Sequence, residues 1–175
     1  MNPALEPAVV FQHCPRCGAA ALRPQRSMGF TCAGCGFVFF LNVAAAVAAV
    51  IRDEAGRVLL TRRAHDPAKG TLDIPGGFVD HDETAEAALR REILEELNLE
   101  LDDLAYFCTV TNVYEYAGLN YRTLDVYFTG RPRDLSRLRA ADDVDGYAFV
   151  DLATLPPEEI GLDSVRQALA RLRPH

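Results

Sequence analysis

Apolar residues run without a break from Val43 to Ile51, and after Asp53 to Gly56 they resume at Val58-Leu59-Leu60-Thr61. Continuous apolar runs of this length, bounded by turn residues, read as buried strands, so the pattern predicts two strands joined by a turn. A polar loop from Arg62 to Gly70 follows, then a short extended run, Thr71 to Ile74, that meets Pro75-Gly76-Gly77 and is expected to turn sharply. Downstream, Val110 to Tyr116 and Tyr121 to Gly130 read as a hairpin around Ala117-Gly118-Leu119-Asn120. Gly146 to Asp151 reads as a further strand and Asp163 to Leu172 as a closing helix. Met1 to Ala8 has two prolines and little pattern and is expected to be loose.

The period changes between Thr84 and Leu97. These residues are strong helix formers with no proline or glycine, which predicts a helix of roughly four turns with Thr84 as its N-cap. At about 100° per residue, Glu92, Glu95 and Glu96 fall in one arc that also holds Ala85 and Ala88. Leu89, Ile93, Leu97 and Leu94 occupy much of the remaining circumference and are expected to bury against a sheet.

Bunched carboxylates repel one another on an isolated helix by about 0.2–0.5 kcal/mol per pair, so the arrangement calls for a positive partner. Hard divalent cations such as Mg²⁺ or Mn²⁺ prefer such oxygens and are commonly shared with substrate phosphates. A solvated acidic face is the alternative. Two neighbours favour the cation: the glycines, which let the backbone approach a ligand and offer a Gly77 carbonyl, and Arg91, whose guanidinium can pair with Glu83 and orient the carboxylates.

Gly77, five residues, Glu83, seven residues, then Arg91-Glu92-Ile93-x-Glu95-Glu96-x-Asn98-Leu99 resembles the signature box of the Nudix hydrolases. It departs at one position, where Asn98 stands for glycine; asparagine also tolerates the left-handed conformation just past a helix end. The tryptophan often found where Leu72 stands is absent too, for the chain has none. The resemblance implies an α+β fold, a mixed β-sheet sandwiched between helices, that hydrolyses a nucleoside diphosphate linked to another group with Mg²⁺ or Mn²⁺. Carried across, it implies Glu95 and Glu96 as main metal ligands, Glu92 as ligand or base, Glu83 and Arg91 as an orienting pair, and Gly77 as a carbonyl ligand.

Cys14-x2-Cys17 and Cys32-x2-Cys35 are two thiol pairs separated by fourteen residues. Four thiolates so spaced read as a structural Zn²⁺ site, and Gly18 and Gly36, each directly after a pair, suit tight knuckle turns. This resembles a zinc ribbon; disulfides are the alternative reading. Cys108, in an apolar run, reads as a buried side chain. The expected organisation is a ribbon with a loose tail over 1–40 and a Nudix domain over 41–175.

Charge separates along the same line. Through residue 42, Arg16, Arg23 and Arg26 face Glu6 alone, whereas the rest of the chain is acidic and the whole carries −7. A nucleic-acid partner is therefore not expected, since the net charge repels a phosphate polymer, although a weak contact on the ribbon stays open, as does a homodimer through it. No segment reaches the roughly 18 apolar residues of a membrane span, and with no targeting signature the default expectation is cytoplasm.

For the substrate, Arg62, Arg63 and Lys69 are candidate phosphate contacts or solvated loop charges. Tyr114, Tyr116, Tyr121 and Phe107 offer flat faces to a base, and Thr123 and Asp125 offer polar groups to a ribose. Glu115 and the acids Asp142, Asp143 and Asp145 are candidates for an extra catalytic carboxylate, with a solvated loop as the reading preferred for the last three. A ribbon ahead of such a domain is similar to the layout of NADH pyrophosphatases, but residues 106–125 lack their proline- and tryptophan-containing array. A dinucleotide of the NADH or NAD type, or ADP-ribose, is the expected substrate class, ahead of nucleotide sugars. The alternative is a module that senses a nucleotide, or binds nucleic acid, without cleavage.

Overall fold

The computed structural model describes residues 2–25 and 29–172. Arg26, counted in the N-terminal charge above, lies outside them. The chain divides into two compact units, Met1–Val43 with Val113–Arg122, and Ala44–Asn112 with Thr123–His175.

In the first unit, a one-turn helix α1 (Pro7–Val10) precedes a three-stranded antiparallel sheet of β1 (Leu22–Pro24), β2 (Gly29–Cys32) and β3 (Val38–Phe40), with β2 central. Its small core is Cys14, Leu22, Phe30 and Cys32, flanked by Phe11, Phe37 and Phe39. Far from being loose, the N-terminal residues form a 3-10 turn at Pro3–Leu5, capped by the Asn2 side chain, and then α1. Proline at the first helical position of each supplies a preset φ and lacks an N–H that would be unpaired there.

The second unit contains β4 (Ala44–Ile51), β5 (Val58–Arg63), β6 (Leu72–Asp73), β7 (Gly76–Phe78) and α2 (Ala85–Leu97), then most of β8 (Leu101–Tyr116) and β9 (Leu119–Pro132), followed by β10 (Val144–Val150) and α3 (Asp163–Leu172). One sheet has the order β7-β4-β9-β8, with β4 parallel to β9 and antiparallel to β7; the other has the order β10-β5-β6. The apolar run of β4 is continuous because both of its faces are covered. Val47, Ala49 and Ile51 meet Leu89, Ile93 and Leu97 of α2, while Val50 joins Leu60, Tyr127 and the α3 residues Val165, Ala168 and Leu169. Burying each large side chain contributes roughly 1.5–3 kcal/mol, which seats α2 firmly on β4. The fold is mixed α+β, as expected.

Two local expectations change. Pro75-Gly76-Gly77 is not a turn: the chain crosses from one sheet to the other at Ile74 and Pro75, and Gly76–Phe78 pairs with β4. The β8–β9 connection is tighter than the four residues expected, a two-residue turn with positive φ at Ala117 and Gly118, the geometry that matches strand twist. No helix of the described residues is long and apolar enough to cross a membrane.

Candidate active site and metal centre

Helix α2 begins where Thr84 Oγ1 accepts the Ala87 N–H at 3.2 Å and ends at Asn98, which is left-handed with φ 54°. Asn98 does more than a glycine could there, since its Nδ2 donates to the Arg137 carbonyl at 3.0 Å and ties down the segment after β9. The buried residues of the helix are Ala88, Leu89, Ile93, Glu96 and Leu97, so Glu96 lies within the apolar arc. This corrects the expected geometry in two places: Ala88 belongs to the core rather than to a floor under the acids, and Leu94 is exposed.

What makes room for carboxylates on a packed face is the glycine pair on β7. Gly76 has φ +146°, and a Cβ there would lie 2.1 Å from the Val47 carbonyl oxygen. Its N–H donates to Glu96 Oε2 at 3.0 Å. A Cβ on Gly77 would lie 2.4 Å from the Glu92 carboxylate. The two glycines and the two inner glutamates therefore occupy one space.

Arg91 holds the outer side of the cluster. Its Nε and Nη2 donate to Glu83 at 2.8 and 2.9 Å, its Nη1 to Glu92 at 2.9 Å and Glu95 at 3.0 Å, and its Nη2 also to the Phe78 carbonyl at 3.1 Å. Glu83 in turn accepts the Asp80 N–H at 3.2 Å, fixing the loop before the helix. All five box side chains, Glu83, Arg91, Glu92, Glu95 and Glu96, are thus joined through Arg91 or placed against β7.

The electrostatics divide the acids. Hydrogen bonds from Arg91 hold Glu83 below the usual carboxylate range. Burial raises Glu92 against the opposing pull of Arg91. Burial also pushes Glu96 up to about 8, with the Gly76 N–H opposing and the charges of Glu92, Asp73 and Asp143 adding. A buried carboxyl surrounded by other acids, with one backbone N–H as its hydrogen-bond donor, fits a hard cation: such an ion would reverse the repulsion and take oxygen ligands.

Asp73 and the loop acids were not legible as neighbours of this cluster. Asp73 is half-buried, accepts from the Ile74 N–H at 2.8 Å and pairs with Arg63 Nη1 at 2.6 Å. Arg63, a candidate phosphate contact, is therefore engaged with Asp73 and with the Pro67 carbonyl. Arg62 donates to the Gly70 carbonyl, and Lys69 lies in the same loop. Asp142 and Asp143 are exposed, Asp143 lies 3.4 Å from His65 Nε2, and their charges raise Glu92 and Glu96 respectively. Backbone bonds explain the placement, from Ala141 N–H to the Glu96 carbonyl at 2.8 Å and from Ala64 N–H to the Asp143 carbonyl at 3.0 Å. The acid run itself was the one sequence signal. Thr123 Oγ1 donates to Asp125 at 2.6 Å. Tyr114, Tyr116 and Tyr121 belong to the unit that holds the cysteines, where the Tyr114 and Tyr116 rings lie 6.2 Å apart.

The four cysteines converge. Cys14, Cys17, Cys32 and Cys35 place their sulfurs within 4.8 Å of one another, with Cys14 to Cys35 at 3.8 Å and Cys17 to Cys32 at 3.7 Å. A tetrahedron with metal–sulfur bonds of about 2.3 Å has edges of about 3.8 Å, so the spacing fits a four-thiolate site. It is far from the roughly 2.05 Å of a disulfide, and all four are free thiols. The two knuckles repeat each other: Gly18 N–H bonds the Cys14 carbonyl and Gly36 N–H the Cys32 carbonyl, each at 2.9 Å, and both glycines have φ 71°. Against the cost of burial, the N–H groups of Cys17 and Arg16 draw the Cys14 thiol down to about 7, while burial and the neighbouring thiols push Cys35 up.

The chain is 33% identical over 121 residues to an ADP-ribose pyrophosphatase of Methanocaldococcus jannaschii, covering 67% of each. It is 28% identical over 96 residues to the NAD-capped RNA hydrolase NudC of Haemophilus influenzae, of which it spans only 36%. The fold matches a NUDIX hydrolase crystal structure from Nitrosomonas europaea with a TM-score of 0.67 at 22% identity, over 91% of this chain and 89% of that one. The NUDIX domain model matches residues 43–172, and the chain belongs to the Nudix hydrolase family.

Proposed function

We propose that this chain is a divalent-metal-dependent pyrophosphohydrolase that cleaves a nucleoside diphosphate linked to a second group, with ADP-ribose or a dinucleotide of the NADH or NAD type as substrate. The observation that carries the reading is the buried Glu96, packed beside Glu92 against Gly76 and Gly77 and, among the described residues, hydrogen-bonded to the Gly76 N–H with no cationic side chain on it. A solvated acidic face would leave these carboxylates in water. The 33% identical relative named as an ADP-ribose pyrophosphatase supports the substrate class.

Under this reading Glu92, Glu95, Glu96 and the Gly77 carbonyl hold Mg²⁺ or Mn²⁺. The cation, when bound, neutralises charge on the pyrophosphate oxygens and acidifies a water. The protein's own groups do the rest. Arg91 holds Glu92 and Glu95 in place and is itself held by Glu83, so the ligand oxygens need not reorganise on substrate binding. Glu92, half-buried beside Glu96, serves as ligand or as base for the attacking water. Arg62 and Lys69 are proposed to face phosphate, and Arg63 to hold Asp73 in place. Residues 1–40 form a Zn²⁺ ribbon that shapes rather than catalyses, because four cysteines leave the metal no open position; residues 41–175 form the hydrolase domain.

A substrate panel tests this. Purified protein in Mg²⁺ or Mn²⁺ is given ADP-ribose, NADH, NAD, FAD, nucleotide sugars, diadenosine polyphosphates and nucleoside triphosphates, and products are resolved by chromatography. Mononucleotide release from ADP-ribose or a dinucleotide is the expected result. Binding of ADP-ribose with no product under either metal would overturn the proposal in favour of a sensing module.

A further inference from the structure

Residues 2–10 carry little sequence pattern, yet they are tied at both ends. At one end, the Asn2 carbonyl and Glu6 Oε1 each accept from Asn120 Nδ2 at 2.9 Å, and Asn120 is fully buried. The Glu6 carboxylate also takes Arg122 Nη2, at 3.1 and 3.0 Å to its two oxygens. Asn120 and Arg122 lie at the start of β9, just past the Ala117-Gly118 turn. At the other end, Phe11, which follows α1, stands edge-on to Phe30 at 5.9 Å and to Phe39 at 6.0 Å. Those rings form the ribbon core with Cys14 and Cys32.

The path is therefore continuous: thiols, Phe30 and Phe39, Phe11, one helical turn, Glu6, then Asn120 and Arg122. We propose that residues 2–10 are a strap through which the four-thiol metal site holds the β8–β9 tip, so that metal occupancy sets the order of residues 113–122. The inference rests on reading the four thiols as a metal site. It follows from the size of the parts. A core of four buried residues does not hold itself together without its metal. When the metal leaves, Phe11 loses its seat. Asn120 and Arg122 then lose the acceptors that Asn2 and Glu6 supply, and the end of a two-stranded ribbon is marginal without further packing. Among the described residues the buried Asn120 Oδ1 has no hydrogen-bond partner, so losing the two acceptors of Nδ2 would leave the whole amide unsatisfied.

Hydrogen exchange read by mass spectrometry on the full, metal-loaded chain decides the matter, with metal content and ADP-ribose turnover measured on the same samples. In Glu6→Ala, exchange over 113–122 is expected to quicken about tenfold while the metal content and the exchange of 29–40 stay at wild-type values. Stripping the metal with a chelator is expected to quicken 113–122 in the wild type by a similar factor and to add little in Glu6→Ala. Joining Glu6→Arg with Arg122→Glu is expected to restore the part of the protection that the 6–122 ion pair supplies, with Asn120 keeping the Asn2 carbonyl alone. Unchanged exchange over 113–122 in Glu6→Ala, or full protection there after the metal is removed, overturns the strap. A chain with no bound metal as purified overturns the metal reading beneath it. Turnover is scored separately, so absent hydrolysis would bear on the proposed reaction and leave the exchange result standing.

Discussion

Arg91 and Glu83 are joined by two hydrogen bonds, Nε to Oε1 at 2.8 Å and Nη2 to Oε2 at 2.9 Å, a fork on fork contact that fixes the plane of the guanidinium. Because the remaining donor positions of Arg91 reach Glu92, Glu95 and the Phe78 carbonyl, this one contact sets the geometry of the outer half of the site. Arg91→Lys keeps the charge but loses the fork, and kcat is expected to fall about a hundredfold, the size of effect that a displacement of about 1 Å can produce. Steady-state kinetics with a circular dichroism control checks this. Wild-type kcat in a folded Arg91→Lys would show that the guanidinium does not organise the site.

Gly76 and Gly77 are expected to respond differently to alanine. At Gly76 the added Cβ meets the Val47 carbonyl oxygen at 2.1 Å and the backbone sits at φ +146°, so neither can yield. Loss of several kcal/mol of stability, or failure to fold, is expected. At Gly77 the clash is with the movable Glu92 carboxylate at 2.4 Å, so the fold should survive while metal binding and turnover drop. Melting curves and Mn²⁺ titration of both variants test the contrast; equal loss of stability would contradict it.

Under the proposed metal role, Glu96 is expected to make stability depend on pH and on metal together. Its carboxyl, pushed up to about 8 by burial and neighbouring charge, has an ordinary value of 4.5. Between those values the folded, metal-free chain binds more protons than the unfolded chain. The contribution is fully present below about 4.5 and is lost as pH rises through about 8. A divalent cation binds the ionised form and opposes that loss. The rise in melting temperature on adding Mg²⁺ or Mn²⁺ should therefore be larger at pH 8 than at pH 6, and Glu96→Gln should flatten the difference. A metal effect independent of pH would count against this role for Glu96.

Features set by local rules were readable in advance. Thr84 caps α2 and Asn98 closes it in the left-handed conformation, both consequences of side-chain chemistry within a few residues. The thiol pairs with their following glycines likewise define knuckles by local backbone geometry alone. What failed was the placement of α2 around its own axis. A helical wheel separates acids from leucines, whereas the fold buries Ala88 and Glu96 and leaves Leu94 outside, because glycines on a neighbouring strand vacate the space that Glu92 and Glu96 fill. Pairing between distant segments decides that, and a single segment does not record it.

The same reasoning covers Asp73 and Asp143. Each is far from the box in sequence or belongs to another element, and it reaches Glu96 only through the crossing of the chain between sheets and the backbone bonds of the 139–143 segment. The N-terminal residues show the converse. Weak pattern suggested looseness, but hydrogen bonds from Asn120 and Arg122 to Asn2 and Glu6 order them.

The most direct test of the central claim is hydrolysis of ADP-ribose in Mn²⁺ by wild-type protein and by Glu96→Gln, side by side, with both shown to be folded. Release of AMP and ribose 5-phosphate by the wild type, with loss of essentially all turnover in the variant, is the predicted result. Equal turnover by both proteins would contradict the metal site assigned to Glu96, and tight binding without turnover by the wild type would contradict the assignment of catalysis.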